Sequence, residues 1–135
     1  RIDYDAAHSL YPIRTTNPVG HVNEAEYHPR LDTISRLTNP NGNVTNYDYT
    51  PLGRVRREVQ PGDSAALPTV QYEYRSVQPI STVMIRRRIS GEAATRRSVT
   101  YYDASGNTIQ TRARLDNGRF FVSRPQVCDL RGLVL

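Results

Sequence analysis

The sequence predicts an all-β fold, a long antiparallel meander of β-hairpin repeats, and three observations carry that expectation. A turn signal recurs as Asn17-Pro18-Val19-Gly20, Asn39-Pro40-Asn41-Gly42 and Gln60-Pro61-Gly62-Asp63, with Pro40 22 residues after Pro18 and Pro61 21 after Pro40. Tyr4, Tyr27 and Tyr49 keep the same beat, 23 and 22 residues apart. No window places apolar residues at i, i+3, i+4 and i+7, the stripe that an amphipathic helix needs. A fixed period of this length with one turn per period is the mark of repeat architecture.

Each period holds a second turn. Tyr49-Thr50-Pro51-Leu52-Gly53, Tyr102-Asp103-Ala104-Ser105-Gly106 and Cys128-Asp129-Leu130-Arg131-Gly132 each place glycine four residues after their first position. Glycine there supplies the positive φ of a tight hairpin. The residues after the first two glycines, 54–59 and 108–111, alternate polar with apolar, as a strand with one side toward each face does. Each repeat therefore reads strand, glycine turn, strand, Pro–Gly turn, with copies at 2–22, 23–44, 45–68, 69–97 and 98–135. The Pro–Gly turns rest on Pro18, Gly20, Pro40, Gly42, Pro61 and Gly62.

The first copies depart from the pattern. After Tyr4-Asp5 the glycine position holds His8, and after Tyr27 it holds Leu31, so those turns need another geometry, a longer loop. Between Tyr72-Glu73-Tyr74 and Tyr101-Tyr102-Asp103 the period stretches, and the strand-like runs Thr82–Ile85 and Ser98–Tyr101 flank Ser90-Gly91-Glu92 as a longer hairpin.

Composition agrees with a thin sheet. Hydrophobic residues make up 37% of the 135 and mean hydropathy is −0.62, against roughly 45–50% apolar residues in ordinary domains. There are nine Tyr, two Phe and no Trp. Tyrosine, apolar in the ring and polar at the tip, suits a half-buried sheet face. The net charge is +5, and all 18 basic residues are arginine, scattered along the chain with local clusters at Arg86-Arg87-Arg88 and Arg96-Arg97. Nucleic-acid binding is not expected, because the aromatics do not cluster with the arginine runs as a stacking platform requires. The single cysteine, Cys128, excludes an internal disulfide framework and a four-cysteine zinc site. No apolar run approaches the ~18 residues of a membrane span. The chain opens Arg1-Ile2-Asp3-Tyr4 with no Met and no signal peptide, so it is expected to be a fragment.

Residues that can do chemistry all have a structural reading. His8, His21 and His28, with Glu24 and Glu26 between them, lack metal-binding spacing and fall at turns and strand surfaces. Asp5, Asp103 and Asp129 recur beside the motif aromatic or its cysteine substitute, and Asp48 lies between Tyr47 and Tyr49. A recurring Asp is a turn device that bonds its own backbone. Cys128 stands where the repeat places Tyr, with no histidine in the second half of the chain to activate it. Arg86–Arg88 alternates faces on a strand and reads as a stretch exposed to solvent or to an enclosed space. Neither a catalytic set, a cofactor site nor a metal site is expected.

At this point the residues resemble a known family. Tyr47-Asp48-Tyr49-Thr50-Pro51-Leu52-Gly53-Arg54-Val55, running to Gln60-Pro61-Gly62, is similar to the tyrosine–aspartate (YD, or RHS) repeat. The stretches 98–111 and 117–123 are similar to a segment of bacterial toxin-complex B components. The motif positions are Tyr4, Asp5, Tyr27, Tyr49, Gly53, Arg54, Tyr102, Asp103, Gly106, Asp129 and Gly132. The resemblance implies a curved sheet that is part of a hollow β-cocoon, enclosing a toxic C-terminal polypeptide in a protein secreted from, or displayed on, a bacterium. Its partners would be flanking RHS repeats and the enclosed polypeptide. Related repeats form the barrel of teneurins, so an extracellular structural repeat for adhesion or wall attachment is the alternative. The family's self-cleavage element does not carry over: Asp129-Leu130-Arg131-Gly132-Leu133 matches the ordinary repeat, not Asp-Pro-x-Gly-Leu. The chain then reads as interior wall, with open edges near 2–5 and 133–135 that invite self-association.

Overall fold

In a computed structural model the described residues are 1–77, 79–89, 94–115 and 117–123. Every strand is antiparallel to its sequence neighbour within its unit, and there is no helix among the described residues, so the expected all-β fold is observed. The chain divides into two compact units, Arg1–Thr69 and Val70–Leu135.

The first unit is a meander of six strands: β1 (Ile2–Tyr4), β2 (Pro12–Thr16), β3 (Val22–Tyr27), β4 (Ile34–Thr38), β5 (Val44–Tyr49) and β6 (Val55–Val59). Its strands are three to six residues long and rich in Thr, Val, Ile and Tyr, residues that fit a pleated, half-buried surface. Three of its hairpins carry a β-bulge at the same place. Asp3 faces Arg14 while Tyr4 faces Pro12, Glu26 faces Arg36 while Tyr27 faces Ile34, and Asp48 faces Arg57 while Tyr49 faces Val55. One residue is extra on the second strand each time (Ile13, Ser35, Arg56), and each bulge sits beside the motif tyrosine. A bulge adds local twist and shifts the facing side chains. The simple alternation expected after Gly53 is therefore interrupted at Arg56.

The second unit has five strands: β7 (Val70–Val77), β8 (Ile80–Arg88), β9 (Thr95–Tyr102), β10 (Thr108–Arg114) and β11 (Phe120–Val122). β7, β8 and β9 are longer and pair without a slip, Val70 to Arg87 through Val77 to Ile80, and Ser81 to Tyr102 through Arg88 to Thr95. The bulge returns between β9 and β10, where Thr108 faces Tyr102 and Gln110 faces Tyr101. The predicted turn at 90–92 lies outside the described residues, as do Cys128, Asp129, Gly132 and the expected edge at 133–135. The core is thin. Among the described residues only Val70 and Met84 are buried, at 7% and 8% exposure, and Leu52, Phe120 and Phe121 remain open at 77%, 62% and 59%.

Candidate functional site

The feature that repeats most faithfully is a loop. At Asn17, Asn39, Thr50, Asp103 and Leu115 the first residue's N–H donates to the carbonyl four residues on, and the glycine three residues on donates back to the first residue's carbonyl. Gly20, Gly42, Gly53, Gly106 and Gly118 all have positive φ, 75° to 86°. This is a three-residue hairpin loop ending in a left-handed residue. Its first side chain ties it down: Asn17 Oδ1 accepts from the Val19 and His21 N–H groups, Asn39 Oδ1 from Asn41 and Asn43, and Asp103 Oδ1 from Ser105 and Asn107. Thr50 Oγ1 does the same to Arg54. The two turn classes that the sequence separates are thus one device.

With two such loops in each 22-residue repeat, the loop itself recurs at half that period. Pro18, Pro29, Pro40 and Pro51 fall eleven residues apart and each is the second loop residue, where a fixed φ near −65° fits a β-turn. The two irregular copies lengthen the same loop. His28 pairs with Thr33, its Nδ1 accepts from Arg30, and Asp32 takes the left-handed position at φ 52°. Asp5 pairs with Tyr11, its carboxylate accepts from His8, Leu10 and Tyr11, and Ser9 sits at φ 53°. Pro61-Gly62 is a separate turn, closed from Asp63 N–H to the Gln60 carbonyl, with Gly62 at φ 87°.

The loops set the electrostatics. Asp103 is held below the usual carboxylate range, first by the Asn107 side chain and then by the Asn107 N–H, and Asp5 chiefly by the Tyr11 N–H. Asp48 is not a turn device. Burial raises its pKa, but hydrogen bonds from Arg56 (2.6 Å) and Arg57 more than offset this and leave it lowered. The Arg56 bulge is what brings two guanidiniums against one carboxylate.

The motif tyrosines pack against neighbouring turns. The Tyr27 and Tyr11 rings lie 4.8 Å apart, Tyr49 meets His28 edge-on at 6.4 Å, and a hydrogen bond to Asp32 raises the Tyr11 pKa. His8, His21 and His28 stand in three different turns, and no three His, Cys, Asp or Glu converge among the described residues. No helix there is long and apolar enough to cross a membrane.

What sequence reasoning missed is a charge division. Residues 1–69 hold seven arginines and eight carboxylates, whereas 70–135 hold eleven and five. Pairing then gathers arginines that the chain spreads out. Arg86 faces Arg97 directly, and Arg87 faces Arg96 on the opposite side of the sheet. An arginine outside those runs meets an aromatic: Arg112 lies 5.5 Å over the Tyr101 ring. Counting charge by halves would have found the first fact; the second needed the register.

No family model matches the sequence, and no curated protein does. The fold is similar to the crystal structure of TcdB2-TccC3, with a TM-score of 0.76 over 98% of this chain at 18% identity. The chain spans 9% of the length of that one. The likeness covers both units and is one of fold.

Proposed function

We propose that this chain is a wall segment of an RHS-repeat shell that encloses a toxic C-terminal polypeptide, in a protein secreted from or displayed on a bacterium. One observation carries the reading: the same tied loop recurs, with a bulge and a motif tyrosine beside every second hairpin of the first unit, in a sheet with almost no core of its own. Such a sheet gains its stability from neighbours of the same kind. The fold likeness to TcdB2-TccC3 supports a place in an assembly of that type. The role is structural rather than enzymatic, with flanking repeats and the enclosed polypeptide as partners.

The test is protease protection in the full-length parent protein. A C-terminal polypeptide that resists digestion in the intact parent, and becomes sensitive when the segment corresponding to 1–135 is excised, supports the shell. A parent that carries a surface anchor and no protected polypeptide overturns it in favour of adhesion or wall attachment.

A further inference from the structure

We propose that the arginine-bearing face of the second unit binds an acidic polypeptide segment. The pairing builds that face row by row. Arg86, Arg97 and Arg114 come from β8, β9 and β10, with Arg86 opposite Arg97 and Arg114 two residues beyond Arg112, the partner of Val99. The next row is Glu73, Met84, Val99, Arg112 and Val122. Neighbouring strands lie about 4.8 Å apart, so guanidiniums in one row crowd each other and disfavour the sheet unless an anion lies between them.

The β7 side of the face shows what such an anion looks like. The Glu73 carboxylate lies between Arg75 (3.3 Å) and Arg86 (3.5 Å). One and two strands further on, Arg97 and Arg114 have no acidic partner among the described residues, and both are exposed. Arg112 is already positioned: it lies over Tyr101, and the Gln110 amide oxygen, when turned toward it, accepts from its Nε and Nη2 at 2.6 and 3.0 Å. A held guanidinium loses little freedom on gripping a carboxylate, which it matches in shape. Between the charges lies an open depression of about 270 Å³ lined by Arg97, Val99, Tyr101, Arg112, Phe120 and Val122. Its apolar floor suits a segment whose carboxylates are interspersed with apolar side chains.

A nucleic acid fits less well. Arg112 already covers a face of Tyr101 on which a base would stack, and the Val99 and Val122 floor offers apolar side chains a contact that a sugar–phosphate backbone lacks. The excess of eleven arginines over five carboxylates in residues 70–135 draws acidic partners in general. The inference rests on the shell reading for the source of the segment, an enclosed polypeptide.

The experiment is fluorescence anisotropy on the full chain with a short fluorescein-labelled peptide alternating Glu with Leu and Ser. Saturable, salt-sensitive binding is expected, and R97E/R114E should weaken it about tenfold or more. The charge-matched R1E/R30E variant should not. Circular dichroism checks each fold, and Arg97→Gln/Arg114→Gln replaces the charge reversal if that variant unfolds. Equal weakening by the control, or equal binding of a Lys-for-Glu peptide, overturns the site. Equal or tighter binding of an oligothymidylate overturns it in favour of nucleic acid. Because protease protection reads the parent and anisotropy reads this chain, the two proposals fail separately.

Discussion

The hydroxyl of Tyr49 donates to the carbonyl of Ile34 at 2.5 Å, joining the last residue of β5 to the first of β4. Tyr27 repeats the contact on Pro12, again fifteen residues back and again from the end of one strand to the start of the previous one, at 3.3 Å. The motif tyrosine is thus a rivet between strands: its ring packs on the neighbouring turn while its tip donates to a backbone carbonyl at the start of the previous strand. Tyr49→Phe should destabilise by about 0.5–1.5 kcal/mol, the net worth of one hydrogen bond. Tyr27→Phe, with the longer bond, should cost less. Urea melts of the two variants check this, and the reverse order would show that the ring alone matters.

The shared loop makes a stabilising substitution available. Position 104 corresponds to Pro18, Pro29, Pro40 and Pro51, so its backbone already adopts a conformation that proline accepts. Ala104→Pro should stabilise by about 0.4–1 kcal/mol by restricting the unfolded chain. Gly53→Val is the opposite case. A Cβ at that position meets nothing nearer than Leu31 at 4.0 Å, so space is not the obstacle; φ of 75° is. A β-branched residue there should cost about 1–2 kcal/mol. Thermal melts decide both, and a lower midpoint for Ala104→Pro would break the equivalence of the loops.

How far the sequence could be read follows from these residues. Strands, hairpins and glycine turns were legible because Gly and Pro punctuate them and because Tyr marks one turn in two. The eleven-residue loop period lies in Pro18, Pro29, Pro40 and Pro51, but it is masked in the sequence because the first loop residue changes identity from Asn17 to His28 to Asn39 to Thr50. Each of these offers a side-chain acceptor, Oδ1 in the asparagines, Nδ1 in His28 and Oγ1 in Thr50. Bulges leave no local mark, so Arg56 beside Asp48 could not be foreseen. The arginine face depends on Met84 facing Val99 across a hairpin whose turn departs from the period, and register is not written in either strand alone.

Acid should separate two substitutions at one loop. Asp103 has its folded pKa lowered, so its contribution to stability is present above the ordinary carboxylate value and is lost as pH falls through the folded one. Asp103→Asn keeps an Oδ1 acceptor, as Asn17 and Asn39 show, and should hold the loop at neutral pH while flattening the loss below about pH 4. Asp103→Ala removes the acceptor and should lower the melting midpoint at every pH. Denaturant midpoints at neutral pH and near pH 3 distinguish them. An Asn variant as unstable as Ala at neutral pH would show that the loop needs charge, not only an acceptor.

Isolated from its neighbours, the chain should self-associate through sheet edges. β1 pairs on one side with β2, and its Ile2 and Tyr4 are 53% and 50% exposed. β11 pairs with β10, and Phe120, Phe121 and Val122 are all open to solvent. An apolar strand with unpaired N–H and C=O groups is a template for another strand. The repeat logic makes that edge a joint: in a continuous wall the next hairpin covers it, and each added neighbour buries one more interface. Light scattering after size exclusion, over a range of concentrations, should therefore show mass rising with concentration. Phe121→Lys should reduce the effect, since charge on an edge strand opposes pairing. Appending the parent's flanking repeats should reduce it too and raise the melting midpoint. A monomer at all concentrations, no less stable than the extended chain, would mean that the edges are already closed, and the wall-segment reading would then have to be abandoned.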